Sequence, residues 1–444
     1  MYDRICQSVD RNAQEIIAWR RDFHRHAEIA MLEMRTASLV ASRLASWGYS
    51  VSLGESVCDM THLSYMATPE QLESHYQRAL GENPATAYLE QVRNGATAVI
   101  GLLDCGEGPV VGLHCELDAV PVTESTRADY RPVREGFASI HPGMAHTCGH
   151  DANLAAMLGC AKALSEVRDH LHGKVKFIFK PADERGQGAA MLIPKGHLDD
   201  VDYLFSTHLF GRELGVPGAD IMSNFPETLA TGRMEAVFRG KASSPTAHPQ
   251  LCKNVITAMG TAITNLQSIP RHGEGVTRVQ VLHVHAGEKR GGVPEEGVME
   301  ISYAGQTMEI RRFLEDYALR IFKASAEMHG VTCDVHQTEG FPPILSDAEL
   351  AERMESVANA HVPGVCVRYV PHRTLYGTDD FVYMMEKVRE HGGLATDTQQ
   401  ISDVQGIVHT GEFDYDESVI PKTAKVFAAT VYDLLKQAVK EETP

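Results

Sequence analysis

Apolar positions fall along this chain in two distinct rhythms. Near the N-terminus they recur every three to four residues, in Trp19-Arg-Arg-Asp-Phe-His-Arg-His-Ala-Glu28 and in Thr36-Ala-Ser-Leu-Val-Ala-Ser-Arg-Leu-Ala-Ser-Trp-Gly48. That spacing predicts helix over 9–48, stopped by a glycine. A polar segment at 55–93 reads as an inserted, mostly helical stretch. The rhythm then changes to short apolar runs at 97–103, 109–118, 174–180 and 201–207, with an apolar helix at 152–167 between the second and third. Each run reads as a buried strand. Strands alternating with helices imply an α/β sheet with parallel members. Asp118, the loop around Cys148, Asp183-Glu184 and His208 all stand where a strand or its return finishes. In open sheets of this kind that edge carries the site.

From residue 228 the order becomes strand (234–240), helix (254–266), strand (277–285), strand (297–303) and helix (308–329). This is a ferredoxin-like unit, placed at 228–340. After Gly340-Phe-Pro-Pro343 the first pattern resumes, with helices at 347–359, near 379–390 and at 418–439. The expected organisation is therefore a mixed, mostly parallel α/β domain over 1–227 and 341–444, with an α+β domain inserted at 228–340.

Composition narrows the function classes. A net charge of -18 disfavours a phosphate backbone as partner. No apolar run approaches the roughly 18 residues that span a bilayer. Met1-Tyr-Asp-Arg-Ile-Cys6 has no basic region leading into an apolar core, so no secretory leader is expected. Nine scattered Cys fit a reducing cytoplasm. No nucleic-acid or membrane partner is expected.

The chemistry centres on Met144-Ala-His-Thr-Cys-Gly-His-Asp151. Cys148 and His150 are separated only by Gly149, so a thiolate and an imidazole can converge on one ion. That pair suits a transition metal rather than Ca or Mg; a buried Cys beside a surface His is the plain alternative. Asp183-Glu184 is equally readable as a surface acidic pair, except that it follows a buried apolar strand and Pro181. There one carboxylate can ligate metal while the other takes a proton from water. His208 and His409 are unremarkable alone. Together, Cys148, His150, Glu184, His208 and His409 form a donor set sufficient for two ions.

These motifs, with Trp19-Arg-Arg-Asp-Phe-His, Pro181-Ala-Asp-Glu184 and Tyr376-Gly-Thr-Asp-Asp380, resemble the amidohydrolase branch of the aminoacylase and glutamate-carboxypeptidase family of di-metal peptidases. The branch includes aminobenzoyl-glutamate hydrolases, indole-acetyl-amino-acid hydrolases and a nitroanthranilate aminohydrolase. The resemblance implies two divalent transition ions, Mn or Zn, on those five ligands. It implies Asp183 as general base and Asp151 orienting a ligand from behind. The inserted domain would be a dimerisation lid, making a homodimer or higher homo-oligomer.

The chain also departs from the family pattern. Asp183 stands where a Glu is usual. His114-Cys-Glu-Leu-Asp118 replaces Arg-x-Asp-x-Asp, so Glu116 and His114 add titratable groups beside Asp118. Ser244 takes the place of the lid His, with His248 four residues on as a substitute. Gly291 and Ala304 replace the lid Asn and Arg, with Arg290 adjacent, and Arg233 and Arg239 as other carboxylate partners. Losing three lid groups removes help for an amide oxyanion. The expected reaction is therefore C–N hydrolysis on a small aromatic carboxylate, favoured as deamination of an activated aminobenzoate such as 5-nitroanthranilate. An amidohydrolase for an aminobenzoyl-glutamate or indole-acetyl-aspartate type conjugate is the alternative, and a non-catalytic metal-binding relative is the third. Asp380 is a further candidate near the substrate.

Overall fold

The computed structural model describes all residues except 62, 83–85, 226, 245, 289–291, 372–378 and 437–444, and only the backbone of 339. The described residues form two compact units. One comprises Met1–Phe225, Ser346–Pro371 and Tyr383–Pro444; the other comprises Pro226–Leu345 and His372–Val382.

The first unit is built on an eight-stranded mixed sheet. Its centre is parallel: Val110–Glu116 lies between Lys174–Lys180 and Tyr203–Gly211, and Leu394–Ser402 continues beyond the last. The edge pairs Ser50–Leu53 and Val99–Asp104 run antiparallel. Val110–Glu116 is buried at every position, as expected of a strand covered on both faces. The helix His150–Ser165 is buried along nearly its whole length, which its apolar composition on all sides permits. It packs against Tyr2–Arg25 and Val419–Leu435. The expected helix over 9–48 is in fact two helices, Tyr2–Arg25 and Met34–Ser46. Met31, at φ 68, turns the chain between them, and the buried Glu28 carboxylate accepts from the Arg35 and Thr36 amides at 3.1 and 2.8 Å. That carboxylate satisfies first-turn donors that no helical carbonyl can reach.

The strand Leu394–Ser402 escaped sequence reading. Its residues, Leu-Ala-Thr-Asp-Thr-Gln-Gln-Ile-Ser, carry no apolar run, yet all but the first are buried. Polar side chains satisfy one another there: Thr398 Oγ1 donates to the Ser206 carbonyl (2.9 Å) and Gln400 Nε2 to Asn153 Oδ1 (2.7 Å).

The second unit has the element order strand, helix, strand, strand, helix, strand, from Ala230–Arg239 to Thr332–Phe341. Its four strands form one antiparallel sheet in which the first and third are central. Met234, Ala236 and Phe238 alternate inward and meet Met259, Leu314 and Phe322 from the two helices. Asp380, buried, groups with this unit rather than with the resumed first domain.

Candidate metal centre

Four loops at the carboxyl ends of the central strands converge in the first unit. The first carries Cys148 and His150. Gly149 between them has φ 95, and a Cβ there would stand 2.7 Å from Leu209 Cβ. Only glycine accepts both constraints, so this turn is glycine for backbone reasons. His150 Nδ1 is 2.7 Å from the Asp118 carbonyl oxygen, to which it donates, leaving Nε2 aimed away from the chain.

The second loop follows Lys174–Lys180. Ala182 adopts a left-handed conformation (φ 54), and its amide donates to the buried Glu33 carboxylate at 2.9 Å. The amides of Asp183 and Glu184 donate to the two oxygens of Asp118, each at 3.0 Å. Asp118 thus holds both His150 and the Asp183-Glu184 turn. Burial pushes its carboxyl up to about 7, against the pull of His150.

The third is the end of Tyr203–Gly211, which brings His208 Nε2 to 3.5 Å from Cys148 Sγ. The fourth carries His409, whose left-handed backbone (φ 63) is tied by its amide to the Thr147 carbonyl at 2.9 Å. His409 Nε2 lies 3.4 Å from Glu184 Oε1. A non-glycine residue held at positive φ is strained, and such strain gathers at functional positions.

Two donor trios result, Cys148-His150-His208 and Cys148-Glu184-His409, with all ligand atoms in each within 4.8 Å. All five sequence-designated ligands are therefore in one place. The electrostatics match an ion site stripped of its cation. Burial alone would raise the Cys148 thiol, but His208 and His150 bring it down to about 6. Burial opposes charge on His208, yet Cys148 lifts it to about 10. Burial also opposes ionisation of Glu184, but His409 and His150 hold it at about 2. His409, in contact with Cys148 and Glu184, rises to about 10. Buried His150 Nε2 and Glu184 Oε1 make no well-formed hydrogen bond among the described residues. Native interiors seldom leave such atoms unmatched. A cation would replace the imidazolium protons, and a thiolate with imidazoles and a carboxylate fits a divalent transition ion.

The remaining designated residues divide. Asp183 stands at the cluster, its Oδ2 3.7 Å from His150 Nε2. Glu116 is buried beside it, accepting from Asn153 Nδ2 at 2.8 Å. His114 Nδ1 is 2.9 Å from Ser206 Oγ, away from the loop ends. Asp151 does not orient a ligand. Its carboxylate is taken by Arg20 (2.8 Å), His24 (2.8 Å) and the Tyr415 hydroxyl (2.8 Å), because the helix turns its side chain away from His150. Asp118 performs that orienting instead.

In the second unit, Ser244 Oγ accepts from the Ala247 amide (3.1 Å), and His248 is exposed in the same surface turn. Arg239 is committed to Glu296 and Asp334, and Arg233 Nη1 lies 3.6 Å from Glu300. Arg290 lies outside the described residues. Sequence reading missed Glu33, Arg20 and Lys180. For Lys180 a signal existed: a lysine closing an apolar strand, just before a proline.

The sequence profile of Peptidase family M20/M25/M40 matches residues 112–433. The chain belongs to this family. As an M20/M25/M40 member it is a metal-dependent hydrolase of C–N bonds. It is 32% identical over 419 residues to an indole-3-acetyl-aspartic acid hydrolase of Enterobacter agglomerans, covering 94% of this chain and 95% of that one. It is 32% identical over 431 residues to a p-aminobenzoyl-glutamate hydrolase of Escherichia coli strain K12, covering 96% and 98%. Among solved structures, the aminobenzoyl-glutamate utilization protein of Klebsiella pneumoniae superposes with a TM-score of 0.72 at 25% identity, over 96% of this chain and 97% of that one. A Bacillus subtilis dinuclear metal binding peptidase of the M20 family shares the fold, with a TM-score of 0.69 at 22% identity over 95% and 98%.

Proposed function

We propose that this M20-family protein hydrolyses the amide bond of a conjugate between an aromatic acyl group and an acidic amino acid, using two Mn or Zn ions held by Cys148, His150, Glu184, His208 and His409. The observation that carries the reading is the convergence of those five donors as two trios sharing Cys148. The substrate class rests on the relatives named for aminobenzoyl-glutamate and indole-acetyl-aspartate. They support the amide alternative over the deamination that the altered lid residues suggested, and nothing in them supports a nitroanthranilate substrate.

Bound ions would polarise the amide carbonyl and acidify a water molecule. The chain's own residues do the rest. Asp183, the carboxylate at the cluster without a ligand role, accepts the water proton and returns it to the leaving nitrogen. Asp118 keeps the Asp183-Glu184 turn and His150 in register through three hydrogen bonds. The second unit serves as the dimerisation lid; Leu282 and Val284, both about half exposed on its edge strand Thr277–Ala286, support that role. Nine cysteines without a disulfide partner support a cytoplasmic location.

The test is a product assay with the Mn- and Zn-loaded protein on p-aminobenzoyl-glutamate, indole-3-acetyl-aspartate and 5-nitroanthranilate. Release of glutamate or aspartate from the conjugates is expected. Ammonia from the nitroanthranilate alone would overturn the substrate class. Asp183→Asn should lower turnover by at least about a hundredfold with metal content unchanged; retained turnover removes Asp183 as base. Cys148→Ala should lower metal content, measured by elemental analysis.

A further inference from the structure

The candidate base has a partner of its own. Lys180 closes the strand Lys174–Lys180, and its side chain is wholly buried. Its ammonium is in contact with Asp183 Oδ1. A buried lysine is costly unless paired, so this one needs a reason.

The niche around it is built. Gly188, in the short helix Gly188–Leu192, lies against the lysine stem: a Cβ there would stand 2.5 Å from Lys180 Cγ and 2.1 Å from the Pro181 carbonyl oxygen. Across the sheet, Lys180 is the register partner of Glu116 on the parallel strand Val110–Glu116. The Glu116 and Asp183 carboxylates come within 4.8 Å of each other. Two carboxylates that close, one of them wholly buried, cannot both stay ionised without a cation beside them. Glu116 is fixed from its other side by Asn153, itself held by Gln400, whose Oε1 accepts from Thr423 Oγ1 at 3.1 Å.

We infer that Lys180 is a positioning residue for the reaction: its ammonium anchors Asp183 Oδ1 so that Oδ2 faces the ligand cluster. The inference rests on Asp183 being the base. It also accounts for that base being an aspartate. A side chain one methylene shorter than glutamate reaches its place only if one oxygen is held and the other is thereby aimed. With both carboxylates next to a single ammonium, Asp183 stays ionised and able to accept a proton. Being wholly buried, Lys180 acts through Asp183 and does not meet substrate.

The experiment uses Lys180→Met and Lys180→Gln, Asp183→Glu, and the double variant Lys180→Met/Asp183→Glu, each loaded with metal and assayed on the best substrate of the panel above. Lys180→Met and Lys180→Gln should lower kcat about a hundredfold, as an ångström-scale misplacement does. KM should stay within threefold and metal content should be unchanged. Asp183→Glu alone should also lower kcat, because the longer carboxylate overshoots the ammonium. The double variant should recover at least tenfold over Lys180→Met, since a glutamate reaches the cluster without an anchor. A merely structural lysine would not give that reciprocal rescue. Should Lys180→Met fail to fold, Lys180→Gln, which keeps a donor and nearly the same length, carries the comparison against Lys180→Gln/Asp183→Glu. A kcat within twofold of wild type in a folded Lys180 variant, or no recovery in the double variant, would overturn the inference. Asp183→Asn separates the two readings: activity in that variant removes the base, whereas an inactive Asp183→Asn beside a fully active Lys180→Met removes only the lysine's role.

Discussion

The guanidinium of Arg20 is completely buried, and it meets three carboxylates. Asp151 lies at 2.8 Å, and Asp414 and Glu417 each at 3.2 Å, with the Tyr415 hydroxyl at 2.8 Å. Arg20 and His24 together hold the Asp151 carboxyl far below the usual range despite its burial. Removing one member of such a cluster strands the others without water. Arg20→Met should therefore destabilise the fold by about 3–5 kcal/mol, read from denaturant midpoints. The loss should appear with metal removed as well, since none of these groups is a candidate ligand. Single residues were unevenly legible. Cys148, His150, Glu184, His208 and His409 could be singled out because thiol, imidazole and carboxylate announce ligand chemistry by type. Asp151 shows the limit of that reasoning. It follows His150 directly, yet one step along a helix turns a side chain about 100°, and its carboxylate reaches Arg20 and not the ligand.

Elements were legible where apolar residues are periodic. The strands over 174–180 and 203–211 and the helix at 150–165 fall close to their expected places because each buries an apolar run. The strand Leu394–Ser402 was not legible, since its interior is filled with hydrogen-bonded Thr, Asp and Gln. Such burial is tolerated only when neighbours supply partners, and those neighbours are remote in sequence. The helix Pro69–Glu82 in the polar 55–93 segment carries a testable consequence of burial. His75 is almost fully buried there, and its Nδ1 accepts from Arg78 at 2.7 Å. Burial, helped by Arg78, depresses its pKa to about 4. The unfolded chain, with an ordinary imidazole near 6.5, then binds more protons than the folded one as pH falls below about 6.5. His75 therefore contributes stability at neutral pH that is lost as pH falls from about 6.5 to about 4, by up to about 3 kcal/mol. His75→Gln should flatten that part of the stability profile. An equal acid slope in wild type and variant, by urea titration at several pH values, would contradict the assignment.

On the scale of the molecule, the candidate ligands span residues 148 to 409 and are brought together only by folding. An ion that binds this arrangement and not the unfolded chain must stabilise the fold. Free Mn or Zn at a hundred times its Kd should add about 2.7 kcal/mol, and chelation should remove it. Scanning calorimetry with and without chelator reads this directly. An unfolding midpoint indifferent to metal would count against the site. The effect should shrink in Cys148→Ala, because Cys148 is common to both donor trios.

By itself the sequence determined the α/β pattern, the ferredoxin-like order of the second unit and the five donor residues. It could do so because apolar periodicity and ligand chemistry are properties of residue type and spacing. Tertiary structure alone decided how those donors are aimed. It set Asp118 rather than Asp151 behind His150, placed the His409 amide on the Thr147 carbonyl, and put the Lys180 ammonium on Asp183. Each of these contacts depends on backbone turns and neighbouring strands that only the folded chain brings within hydrogen-bonding reach.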